Sequence, residues 1–215
     1  AAASDVYKRQ VQPAITAAED GDTVLVYPGT YVVYPEAGAA TDRINFLGKK
    51  ITVCSTNPNS AAVVASTIIE LAESGPYQTC ISIVLFQFGE GRSSVLRGFT
   101  IRKGRDPYYG AGVRIMDGCS PTIERCVFTN NHGGDGGALA AGNGSPLIRY
   151  NTFEGNGDGA GGAVRTNGRA LIQSNTFKGN AGSYGGAIMC GADAQILSNT
   201  FTGNWCGMAA NAIYC

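Results

Sequence analysis

Apolar and polar positions in the second half of the chain return in step. Phe128, Phe153, Phe177 and Phe201 recur at intervals of 25, 24 and 24 residues, and Ile123, Ile148, Ile172 and Ile196 keep the same intervals. Asn151, Asn175 and Asn199 stand between each Ile and Phe, opening the near-identical runs NTFEGN, NTFKGN and NTFTGN. Asn131, Asn156, Asn180 and Asn204 follow each Phe, and GGAL, GGAV and GGAI come five residues after the first three of these asparagines. Periods of this size mean a stacked array. The apolar runs are short, bounded by Gly and Asn, and rich in Phe, Ile and Val, which predicts strands. No long run at helical spacing interrupts them. The pattern therefore predicts a coil of about three short strands and three turns, stacked on copies of itself about 4.8 Å apart.

In such a stack, equivalent residues form columns. The Phe and Ile columns are expected to fill the interior. Four residues separate the inward Ile from the inward Phe, so alternation breaks and a bend intervenes. Asn suits a tight bend because it tolerates the left-handed conformation. Its amide also donates to one neighbouring coil and accepts from the other. Asn151, Asn175 and Asn199 are thus expected to form one ladder, which Cys126 ends one coil earlier. Asn131, Asn156, Asn180 and Asn204 are expected to form a second.

The first half carries the same design with looser spacing. Val11 to Asp22 has apolar residues at helical spacing followed by glycine, which predicts a cap helix over residues 11–20 covering the first coil. Thr23 to Val33 reads as strand, Pro-Gly turn and strand. Further strands are predicted in Lys49 to Ser55, Ser66 to Leu71, Cys80 to Phe88 and Ser94 to Gly104. Leu96 and Ile101 echo Ile123 and Phe128 at a spacing of 27 residues. About seven coils fit, with the regular 24–26-residue repeats over 110–215.

The ends change the picture slightly. Ala2 to Gln10, AASDVYKRQ, resembles a translated sequencing adapter, so residues 1–10 are set aside as a tail and 11–215 are expected to form a single domain. Asn211 to Cys215 opens another repeat and stops, so the C-terminus is expected to be truncated. Leaving out Lys8, Arg9 and Asp5 reduces the 16 basic and 16 acidic residues to 14 and 15. Near neutrality with no basic run argues against nucleic acid as the main partner. No apolar stretch approaches the roughly 18 residues that a membrane span needs. The seven cysteines, Cys54, Cys80, Cys119, Cys126, Cys190, Cys206 and Cys215, form no CxxC pattern. Cys190 and Cys215 share a column, and parallel in-register Cβ vectors are expected to leave them unbridged.

These residues resemble a known family. AITAAEDGDTVLVYPGTY, GKKITVCSTNPN and the paired GGA-aliphatic and FxxN motifs are similar to the right-handed parallel β-helix proteins of the pectin-lyase-like superfamily. The GGA(I/L/V) and FxxN pair looks like the repeats of polymorphic outer-membrane proteins. The resemblance covers residues 11–215 and implies an all-β right-handed parallel β-helix. It implies an extracellular or cell-surface location and a polysaccharide or cell-surface ligand. It does not fix activity, because the superfamily includes lyases, hydrolases, epimerases, adhesins and autotransporter passengers.

Lyases of this fold use an Arg or Lys base, often beside a calcium site of clustered acids, and the hydrolases use clustered aspartates. The matching candidates are His132, Asp135 and Asp158 on glycine-rich turns, with Arg165 further along. His132 is the only histidine. No cofactor is expected, and Ca²⁺ is a candidate only at the carboxylates Asp135 and Asp158. No third acid stands in the next two turns. Glu154 with Lys178, and Glu124 with Arg149, read as surface ladder pairs worth about 0.2–1 kcal/mol. Among the turn aromatics Tyr108, Tyr109, Tyr184 and Trp205, the last two, one coil apart, are candidates to stack on sugar rings. The sequence thus reads as a non-catalytic, adhesin- or passenger-like surface module that binds carbohydrate or another surface, with a polysaccharide lyase or related enzyme as the alternative.

Overall fold

The structure, a computed structural model, describes residues 11–34, 43–72, 81–191, 193–208 and 212–215. The N-terminal tail of the sequence reading, residues 1–10, lies outside them, as do Cys80 and Asn211. The chain runs repeatedly through three parallel sheets of seven strands each. The first sheet begins with Thr23–Val26 and Thr52–Ser55 and continues through Val95–Arg97, Thr122–Glu124, Leu147–Arg149 and Leu171–Gln173 to Gln195–Leu197. The second begins with Gly29–Val33 and Thr67–Leu71 and runs to Thr200–Thr202. The third begins with Ile44–Asn45 and Val84–Phe86 and runs to Ile213–Tyr214. One strand from each sheet makes a coil, so there are seven coils.

The registers place like residues over like. Val24, Val53, Leu96, Ile123, Ile148, Ile172 and Ile196 form one inward column. Ile101, Phe128, Phe153, Phe177 and Phe201 form another. The Phe rings stack with centroids 4.7, 4.9 and 5.1 Å apart and nearly parallel planes. Phe128, Phe153 and Phe177 are fully buried. Phe201 and Ile196, in the last coil, are only partly buried.

Both asparagine columns are hydrogen-bonded ladders. Asn151 donates through its backbone N–H and Nδ2 to Oδ1 of Asn175, and through Nδ2 to the Ile123 carbonyl. Asn175 repeats this with Asn199 and Ile148. The backbone N–H of Cys126 donates to Oδ1 of Asn151, closing the ladder where expected. The second column does the same from Asn131 through Asn156 and Asn180 to Asn204. The left-handed residue, however, is the one before each asparagine, or before Cys126 where that ladder ends. Arg125, Tyr150, Ser174 and Ser198 have φ of 54° to 57°, as do their counterparts Asn130, Gly155, Gly179 and Gly203 at 53° to 63°. The asparagines are there for their amides: a buried polar group without partners costs several kcal/mol, and here each is satisfied by its neighbours.

The GGA motif has a different cause. A Cβ on Gly137 would lie 2.2 Å from the Gly162 carbonyl oxygen, and one on Gly162 would lie 2.0 Å from that of Gly186. Backbone packs directly on backbone along this column, and only glycine fits. Ala138, Ala163 and Ala187, which follow, are fully buried.

Some boundaries shift. The cap helix, α1, covers Val11–Ala17, three residues shorter than expected, and buries Val11 and Ile15 over the first coil. A second helix, α2, spans Ala61–Ser66; Ser60 caps it by accepting from the Val63 N–H. Its apolar run had no separate reading in the sequence, and Ser66 belongs to it rather than to the following strand. The strand expected across Cys80 to Phe88 narrows to Val84–Phe86.

The cysteines correct one expectation. Cys190 and Cys215 share their column, but they are joined by a disulfide. Their Cα atoms are 4.6 Å apart, inside the range a bridge accepts. Cys54, Cys119 and Cys126 are free. Burial pushes the Cys126 thiol up to about 12. Less than about one molecule in a thousand then carries its thiolate at pH 8. Iodoacetamide added to the native protein at pH 8 is expected to spare Cys126 and to modify it only after denaturation, with residues 190 and 215 mapped as one bridged peptide. Rapid native labelling of Cys126 would contradict this burial.

Candidate functional site

The outward face of the third sheet carries a groove. Its strands alternate, with the outer residues buried and the middle one facing out, in Val113–Ile115 and Val164–Thr166. The register sets Arg114, Ala140, Arg165 and Met189 in one outward column. Ala140 is small, so the two arginines flank a gap over it. The turn residues Tyr109, Asp135, Ala160 and Tyr184 form the neighbouring column, by the same offsets and by the Gly136, Gly161 and Gly185 bridges. Tyr109 and Asp135 wall one side of a groove of about 270 Å³, and Met116, Asp117 and Asn167 wall the other.

The polar groups of the groove are held in place. The Arg114 guanidinium carbon sits 3.2 Å from the centroid of the Tyr109 ring, a close cation–π contact. Arg165 is ion-paired to Asp135. The Arg165 Nε is buried and has no hydrogen-bond partner among the described residues. Asp117 accepts the Asn143 backbone N–H at 2.7 Å. Burial holds the Arg43 guanidinium below its usual value; Asp106 opposes this and Arg114 adds to it, so a second cation stands near that end.

The four residues proposed for chemistry do not converge. Arg165 and Asp135 line the groove, but their charges are spent on each other. His132 Nδ1 meets Asp158 Oδ2 at 2.8 Å in a second pair that does not line the groove. His132 belongs to a side column with Arg105, Gly157, Ala181 and Trp205. Asp158 is in the left-handed region at φ 75° and largely exposed. Among the described residues no group of three or more His, Cys, Asp and Glu side chains stands ready for a metal ion. Asp135 and Asp158, the candidate Ca²⁺ ligands, are instead partnered by Arg165 and His132.

The two aromatic candidates also separate. Tyr184 continues the groove wall and packs at 5.8 Å against Tyr214 of the last coil. Trp205, two-thirds exposed, stands on the His132 column instead. The charged ladders pair as read, with Lys178 Nζ 2.7 Å from Glu154 and Arg149 Nε 2.6 Å from Glu124, but the Glu124 carboxylate is buried rather than at the surface.

Sequence reasoning missed Arg114, Asp117 and Asn167. The signal was there in the triplets after each glycine motif. In VRI, LAA, VRT and IMC the middle residue faces out, which puts Arg114 and Arg165 two coils apart with Ala140 between.

No curated relative and no solved structure matches the chain. A family model described as a right handed beta helix region matches residues 86–212, more than half of the chain. No helix among the described residues is long and apolar enough to cross a membrane. Three parallel sheets wound through seven coils, closed by amide ladders and stacked phenylalanines, agree with that match: the chain belongs to the right-handed β-helix family.

Proposed function

We propose that this protein is a binding module, secreted or displayed at the cell surface, that holds an extended carbohydrate along the groove of the third sheet and does not turn it over. The observation that carries this reading is the pair of outward arginines, Arg114 and Arg165, two coils or roughly 10 Å apart across an alanine floor. Concave sites with a few convergent polar groups are where ligands bind. Tyr109, with Tyr184 further along the same wall, offers aromatic surface to a sugar ring, and Asp117 and Asn167 offer hydrogen bonds to hydroxyls. The Cys190–Cys215 disulfide supports an oxidising compartment. The charge pairing supports the absence of turnover: a proton-abstracting base must be free to accept, and Asp135 and Arg165 neutralise one another. A lyase is the second reading, favoured by the presence of an arginine and a carboxylate on the groove.

Affinity electrophoresis through gels holding pectin, alginate, xylan or mannan tests the groove. At least one polysaccharide is expected to retard the native protein. Arg114→Ala and Tyr109→Ala are each expected to weaken that retention about tenfold, the effect of losing a charged hydrogen bond or a stacking surface. Retention unchanged in both variants, with folding intact, would remove the groove from the account.

A further inference from the structure

A second surface, away from the groove, carries charge that the fold does not balance. On the outward face of the first sheet, Glu124 stands in register between Arg97 and Arg149. Its buried carboxylate meets Arg97 Nε at 3.2 Å and Arg149 Nε at 2.6 Å. The next residue, Arg125, projects from the corner between the first and second sheets. It has no carboxylate partner among the described residues; its guanidinium instead lies 5.2 Å from the centroid of the Tyr150 ring. Arg149 approaches the same ring at 5.6 Å. Three guanidiniums thus cluster around one carboxylate, which only Arg97 and Arg149 meet.

The contrast with the rest of the surface is informative. Arg165, Arg169 and Lys178 each have a carboxylate of their own, on Asp135, Asp193 and Glu154, while Arg102 and Lys103 both meet Glu70. The corner does not require Arg125 or Tyr150 either. The equivalent corners of other coils hold Gly98, Ser174 and Ser198 in the same left-handed conformation. Arginine and tyrosine there bring no turn-forming advantage, yet they put a cation and a half-exposed ring side by side in solvent.

We propose that this corner binds a sulfate or phosphate ester carried on a polysaccharide, with Arg125 and Arg149 holding the oxyanion and Tyr150 carrying the adjoining sugar ring. A guanidinium fork matches a tetrahedral oxyanion through paired N–H donors, which a lysine point charge does not reproduce. Glu124 fixes the Arg97 and Arg149 heads without cancelling the cluster. The site is separate from the groove, whose Arg165 is already neutralised by Asp135.

Fluorescence anisotropy with labelled dextran sulfate, against labelled dextran of equal length, tests this. Dextran sulfate is expected to bind with an affinity that falls as salt rises, and dextran is not. Arg125→Ala is expected to weaken binding about tenfold at an unchanged melting temperature, with Arg125→Lys recovering only part of it. Arg169→Ala, at an exposed pair with Asp193, is expected to leave it unaltered. No binding of dextran sulfate, equal binding by Arg125→Ala, or an equal loss in Arg169→Ala would overturn the proposal. Displacement of the polymer by inorganic phosphate at matched ester concentration would make the corner a site for a small free anion and overturn the polymer assignment.

Discussion

Phe177→Ala is expected to lower the unfolding free energy by about 3–5 kcal/mol, the usual cost of emptying a buried phenylalanine site. Phe177 is fully buried, and its ring touches rings on both sides, with Phe153 at 4.9 Å and Phe201 at 5.1 Å between centroids. Removing it opens a void that two neighbouring coils line, and parallel coils held by backbone ladders cannot easily collapse into it. Thr176, one residue earlier, is exposed on the outer face of the same strand. Thr176→Ala is expected to stay within about 0.5 kcal/mol of the native protein. Denaturation midpoints measured side by side check the pair. Equal midpoints would mean that the inward register has been misassigned.

Gly162→Ala is expected to be at least as damaging, costing about 4 kcal/mol or preventing folding. The added methyl would sit 2.0 Å from the Gly186 carbonyl oxygen and 2.7 Å from the Ala181 carbonyl carbon. Both are backbone atoms, so no side chain can swing aside, and the coils themselves must part. Gly91→Ala provides the control, since a Cβ there meets nothing within 4 Å. Comparable thermal stability of the two variants would contradict the close approach of backbones along the glycine column.

Much of this architecture was legible because a stacked coil writes its geometry into the sequence. A column repeats a residue at the coil period, so Phe153 predicts Phe177, and Asn156 predicts Asn180. The same logic gave the pairing of Glu154 with Lys178. The reading failed where the cause was not periodic. The left-handed corner belongs to Tyr150 rather than Asn151, because Asn151 is required for its amide and the strain is displaced to its neighbour. The spacing placed Cys190 and Cys215 in one column correctly, but ideal parallel Cβ directions misjudged a pair whose Cα atoms come within 4.6 Å. The helix Ala61–Ser66 interrupts the less regular first half once and leaves no echo.

The candidate site was less legible for a related reason. The sequence search looked for acids and a histidine close together in glycine-rich turns, and found His132, Asp135 and Asp158. Register puts each of them in a different column, and Asp135 pairs with Arg165 while Asp158 pairs with His132. The groove is made by the middle residues of short strands, and Arg114 becomes conspicuous only once Ala140 is seen beside it.

The account rests most directly on whether the groove binds without reacting. The measurement is incubation of the purified protein with pectin, alginate and other acidic polysaccharides, with and without calcium, while binding and ultraviolet absorbance are followed together. The account predicts binding that Arg114→Ala weakens, and no rise in absorbance. An ultraviolet-absorbing unsaturated product, abolished by Asp135→Ala or Arg165→Ala, would contradict it and make the groove the active site of a lyase.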